Sequence, residues 1–142
     1  MLKRKGKAVW QGNLKDGKGN LELGSGSYKD QYSFSSRFEE GTGTNPEELI
    51  AAAHAACYSM ALSLALSEAG YKVNEIATEA TVSLDKTDSG FEITNIKLNT
   101  KAKVDDIEMS KFSEIASAAK VGCPVSKALS AVNIELEAHL LK

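Results

Sequence analysis

Two cysteines, Cys57 and Cys123, stand 66 positions apart in a chain of 142 residues. Neither belongs to a Cys-x-x-Cys motif, and separation alone says nothing about contact. A pair of thiols does have a defined use in peroxide chemistry. A thiolate attacks the O–O bond and becomes a sulfenic acid, and a second thiol condenses with it to a disulfide. The attacker must be ionised near neutral pH, which calls for a nearby cation, and an acid that holds the cation makes the arrangement rigid. Cys57 lies within Ala55-Ala56-Cys57-Tyr58-Ser59-Met60, in the middle of a long helical pattern. No helix dipole acts there, and a core cysteine behaving as a small hydrophobe is an equally good account. Cys123 precedes Pro124, at or beside the start of a short helix whose free N–H groups favour a thiolate; a plain helix–helix corner is the alternative.

Arginine occurs twice against fifteen lysines, and Arg37 is the one inside the body of the chain. Its planar fork is not replaced by lysine, although a surface arginine at a strand end explains it as well. Glu47 and Glu48 open the long helix. At about 100° per residue, Glu47 lies about 80° around the axis from Cys57 and Glu48 about 180°. Both are about 15 Å from it along the axis, so either reaches the sulfur only through an intermediary such as Arg37. Glu48 is better explained as a cap. His54, three residues before Cys57, raises a Cys–His pair for acyl transfer. A histidine packed on an apolar helix is the more ordinary reading. His139 looks incidental. Two cysteines and two histidines match no zinc spacing. Phosphate-binding, nucleophile-elbow and zinc-protease templates are absent.

The elements that must position these groups are those of an α+β chain of one domain, residues 1–142. Net charge is −2, from 17 basic and 19 acidic residues, which offers no general field for nucleic acid or membrane. The basic cluster Lys3, Arg4, Lys5, Lys7 reads as a solvated strand edge. No apolar run is expected to reach the roughly 20 residues of a membrane span, and no leader is evident. The expected location is the cytoplasm, where two cysteines do not form a permanent staple. Residues 3–11 and 18–36 read as strands, with Arg37 at the end of the third. Asn45-Pro46-Glu47-Glu48 is a strong helix start, and Gly70 a stop. The helix between is almost uncharged, so it must be covered on most sides, and a homodimer that sandwiches it is expected. A hairpin over 75–86 and 91–103, helices over 110–121 and from Cys123 to about 131, and a strand over 132–140 complete the order.

Six stretches together resemble the OsmC/Ohr family, and its OsmC branch in particular. They are Gly6–Gly12, Phe34–Glu39, Gly43–Ile50, Ala53–Cys57, Val82–Lys86 and Gly122–Ser126. The resemblance implies a peroxidase that reduces organic hydroperoxides, with Cys57 attacking, Cys123 resolving, Arg37 activating and Glu47 holding Arg37. It further implies an intertwined homodimer with two antiparallel sheets around long central helices. The implied reductant is a dithiol or lipoyl-type thiol, and no cofactor, metal or prosthetic group is implied. Local physics favours Cys123 as the lower-pKa thiol, whereas the family makes Cys57 the attacker. Two other uses of the same residues stay open at this level: a non-catalytic redox sensor, and a Cys57–His54 hydrolase.

Overall fold

The computed structural model describes all residues from Met1 to Lys142. Its packing divides into two compact units, Met1–Leu49 and Ile50–Lys142.

In the first unit, β1 (Gly6–Gln11), β2 (Lys18–Leu23) and β3 (Lys29–Tyr32) form an antiparallel meander. The third strand was expected to continue to Arg37, but the chain turns into a short helix, α1 (Phe34–Phe38). The reason is a reciprocal serine cap. Ser36 N–H donates to Ser33 Oγ at 3.1 Å, and Ser33 N–H donates to Ser36 Oγ at 2.8 Å. Phe34 and Phe38, one helical turn apart, stack with ring centroids 4.9 Å apart. The loop that follows is pinned at Gly43. Its φ is +118°, and a Cβ there would lie 2.6 Å from the Gln31 carbonyl oxygen, so a side chain is excluded twice over. Ser36 Oγ then donates to the Thr44 carbonyl at 2.7 Å and Asn45 Nδ2 to the Ser36 carbonyl at 3.0 Å. Asn45 caps the next helix as expected, its Oδ1 accepting from Glu48 N–H at 2.7 Å.

That helix, α2 (Pro46–Glu68), runs on into the second unit. Gly70 ends it with φ +92°, while Tyr71 N–H reaches the Leu66 carbonyl and Gly70 N–H the Ser67 carbonyl, both at 3.0 Å. The second unit continues with β4 (Val73–Thr87), β5 (Gly90–Val104), α3 (Met109–Gly122), α4 (Pro124–Ala128) and β6 (Asn133–Leu141). The strands form one sheet in the order β4-β5-β6. Two sheets were expected, but this one is not wholly antiparallel, because β6 runs parallel to β5. The pair α3–α4 is the long crossover that parallel neighbours require.

The core of this unit gathers one face from each element. Tyr58, Leu62 and Leu66 of α2 recur at four-residue spacing, Phe112, Ile115, Ala116 and Ala119 line α3, and Ile96, Leu98 and Ala102 alternate along β5. A fully buried leucine or phenylalanine contributes about 1.5–3 kcal/mol.

One expectation is corrected by α2 itself. At 23 residues, with a mean hydropathy of 1.7 over its most apolar stretch, it is long and apolar enough to cross a membrane by length and composition. The run from Leu49 to Ser67 carries no charge, and its alanines and serines dilute its hydropathy too little to disqualify it. Its polar groups are nevertheless wired to its own unit. Tyr58 Oη donates to the Ala116 carbonyl at 3.0 Å, and Ser59 Oγ donates to Thr78 Oγ1 at 2.8 Å. Only 22% of the apolar stretch is buried, and Met60 and Leu64 are open to solvent.

Candidate active site

The second unit brings the two thiols together. Their Sγ atoms lie 3.0 Å apart, one midway along α2 and the other at the joint between α3 and α4. Cys123 caps both helices with its backbone. It ends α3 through its own N–H to the Ala119 carbonyl, and its carbonyl accepts from Lys127 in α4. The two sulfurs are not equally placed. Cys123 is fully buried, whereas Cys57 is half-buried and opens into an apolar groove of about 900 Å³ that Met60, Ala61, Leu64, Ala118 and Pro124 also line. Met60 lies on this groove, whereas Ile50 and Ala53 do not.

The electrostatics separate the thiols in the opposite sense. Burial pushes the Cys57 thiol up, and the hydrogen bond it shares with Cys123 pushes it further. Burial also acts to raise Cys123, but the Cys57 hydrogen bond, the Ser126 and Val125 N–H groups and the Ser126 hydroxyl outweigh it, and its pKa falls below the usual thiol value. Of the two thiols, Cys57 therefore holds its proton the more firmly, as local reading of the sequence suggests. Burial, aided by the nearby Cys123 sulfur, holds the Tyr58 phenol far above its usual range, so it stays a neutral hydrogen-bond donor.

His54 does not pair with Cys57. It is fully buried, and its Nε2 lies 2.8 Å from Oγ of Ser126, 72 residues further along the chain. Burial lowers its pKa, which keeps the ring neutral. Ser126 went unread as a functional residue in the sequence. Its signal was its place three residues after Cys123. His139 sits half-buried on β6, 3.6 Å from Glu137, an acidic neighbour two residues away that sequence reading passed over.

The first unit holds the guanidinium. Arg37 Nε and Nη2 donate to the two carboxylate oxygens of Glu47, each at 2.9 Å, a bidentate fork. Glu47 is buried in the first turn of α2, where the helix N-terminus also favours its charge. Glu48 takes the Thr44 hydroxyl at 2.8 Å instead. The Arg37 side chain is 36% exposed and lies 5.3 Å from the Phe38 ring centroid. It borders a cavity of about 230 Å³ walled by Trp10, Tyr32, Phe34 and Phe38. No cluster of three or more His, Cys, Asp or Glu side chains suited to a metal occurs.

A family model described as OsmC-like protein matches residues 39–137. The chain is 53% identical over 131 residues to Peroxiredoxin OsmC of Escherichia coli K12, an alignment that covers 92% of each chain. It is 38% identical over 102 residues to the organic hydroperoxide resistance protein OhrB of Bacillus subtilis, covering 70% of this chain and 72% of that one. The solved structure of the Bacillus subtilis OhrB superposes with a TM-score of 0.69 at 28% identity, over 96% of this chain and 98% of the other. An OsmC-like protein from Mycoplasma pneumoniae gives a TM-score of 0.77 over 99% of both chains; at 17% identity it bears on the fold alone.

Proposed function

Because the chain belongs to the OsmC-like protein family, we propose that it is a thiol peroxidase that reduces organic hydroperoxides to alcohols. The observation that carries this reading is the asymmetry of the sulfur pair: two thiols 3.0 Å apart, of which one faces an apolar groove and the other is sealed behind it. Relatives named for peroxiredoxin activity and for organic hydroperoxide resistance support it.

In this reading Cys57 attacks, because a peroxide entering the groove meets it first. The Cys57 thiolate takes the terminal oxygen of the hydroperoxide, the O–O bond breaks, and the alkoxide leaves as the alcohol after gaining a proton. Cys57 is now a sulfenic acid. The Cys123 sulfur displaces its oxygen as water and forms the disulfide, which requires the sulfurs to close from 3.0 Å to about 2.05 Å. A dithiol or lipoyl-type reductant then restores both thiols. The apolar groove favours greasy peroxides over hydrogen peroxide.

Burial and the hydrogen bond with Cys123 raise Cys57, so attack at neutral pH needs a cation. Arg37, oriented by Glu47, is assigned that role, and the rigid fork supports it. The whole chain, residues 1–142, acts as one functional domain, and two copies form the working molecule, the second walling in the groove along the open Met60–Leu64 stripe of α2. The setting is a reducing cytoplasm, which keeps the dithiol form available. The test is mass spectrometry after one equivalent of cumene hydroperoxide. The expected product is a single Cys57–Cys123 link with the loss of two hydrogens. A persistent Cys57 oxidation with Cys123 still free would overturn the assignment of the pair.

A further inference from the structure

The groove that Cys57 opens into is apolar along its length and charged at one end. Cys57, Met60, Leu64 and Glu68 line it from α2, three or four residues apart. Across from them α3 supplies Ala118, Ala119 and Gly122, which carry no polar side chain. Glu68 comes eleven positions after Cys57. At about 100° and 1.5 Å per residue, it lies about 20° around the axis from Cys57 and about 16 Å along it. Thiol and carboxylate therefore stand at opposite ends of one stripe, a long alkyl chain apart. No lysine or arginine lines the groove, and none of the chain's ion pairs includes Glu68. Lys120 of α3 is turned to the Ile134 carbonyl. Glu68 is also the last residue of α2, where the helix dipole is negative, so its charge does nothing for the helix. Its carboxylate and the free carbonyls of the helix end together make that mouth of the groove negative.

We propose that Glu68 selects among long-chain substrates: the groove takes hydroperoxides whose far end is uncharged, such as fatty acyl esters, and disfavours those that end in a free carboxylate. The proposal rests on the groove being the place where the peroxide binds, and deepens that reading by naming the substrate class. With its O–O group at Cys57, a long hydroperoxide lays its chain along Met60, Ala61 and Leu64, and whatever ends the chain meets Glu68. An ester or alkyl end leaves the carboxylate its water. A carboxylate end brings a second negative charge to the same mouth. Glu68 is exposed, so the repulsion is that of charges in water, about fivefold in affinity at roughly 4 Å. Glu68 neither attacks nor moves a proton; it determines specificity.

Two hydroperoxides that differ only in that charge test the selection. They are a linoleic acid hydroperoxide, oxygenated near its methyl end so that the carboxylate stands far from the O–O bond, and its methyl ester. Both are used below micelle-forming concentration, at low salt, with dithiothreitol as reductant. The readout is the ratio of kcat/KM, ester over acid. The ratio for the unaltered protein is expected to exceed that for Glu68→Gln by about fivefold, and Glu68→Lys should lower it further. Added salt should draw the three ratios together. A general loss of folding or of thiol reactivity lowers both rates and leaves their ratio, so the ratio reads the charge alone. Equal ratios in the three proteins at low salt would overturn the selection, and so would a higher ratio in Glu68→Lys. Turnover of both compounds with equal ratios would leave the peroxidase reading standing and remove only Glu68. No turnover of either compound by the unaltered protein would instead overturn the peroxidase reading itself.

Discussion

The thiol pair and the arginine fork solve opposite problems. Cys57 and Cys123 sit in apolar surroundings, with reactive atoms 3.0 Å apart and no charged partner bonded to either. Arg37 and Glu47 hold a fixed charge in a two-point clasp on the other unit but contain no reactive atom. Burial and the hydrogen bond with Cys123 push the Cys57 thiol up, so it holds its proton more firmly than a free thiol does. A guanidinium alone attacks nothing. The contrast teaches that a close sulfur pair and a fixed charge are built from separate stretches of chain and can be altered separately.

The largest expected effect is at the Cys57 sulfur. Cys57→Ser should abolish turnover of an organic hydroperoxide with a dithiol reductant, since serine cannot form the sulfenic acid; wild-type turnover by this variant would end the thiol reading. Next comes the fork. Arg37→Lys keeps the charge but loses the bidentate geometry, and sulfenic acid formation measured by stopped-flow should fall about 100-fold, with the protein still folded. A rate within twofold of the parent would remove Arg37 from the mechanism. Tyr58→Phe tests whether the sulfur pair depends on the frame around it. Loss of the bond to the Ala116 carbonyl should cost about 1 kcal/mol in denaturant unfolding while turnover persists.

The smallest effect concerns pH. The folded protein holds His54 below its usual 6.5, so unfolding in acid takes up a proton. Stability should therefore rise with pH through the window below about 6.5 and level off above it. His54→Gln should flatten that slope in a series of urea melts, and an unchanged slope would assign the acid sensitivity to other groups.

Several of these features were legible in the residues themselves. Asn45-Pro46 and Gly70 marked both ends of α2 because capping is local chemistry. Helix α1 was misread as strand. Tyr32 and Phe34 continue a two-residue alternation, and that pattern outweighed the Ser33–Ser36 cap and the four-residue spacing of Phe34 and Phe38. Pairings between distant residues left no local trace. The parallel register of β6 on β5, the meeting of Cys57 with Cys123 and the His54–Ser126 bond all join residues far apart in the chain. The sulfur pairing was anticipated only through the family resemblance of the Gly122–Ser126 stretch. The apolar length of α2 was underestimated because alanines and serines make it look milder than its total is.

The parallel placement of β6 has a consequence for how the protein is born. Cys123 stands inside the crossover that carries the chain from the end of β5 back to the start of β6, so its sulfur reaches Cys57 only after that excursion has closed. Such non-local closure belongs to the slow, late part of assembly. A half-made chain therefore carries two ordinary, widely separated thiols. Readiness to trade electrons arrives with the finished molecule, which makes the redox couple a timestamp of maturation.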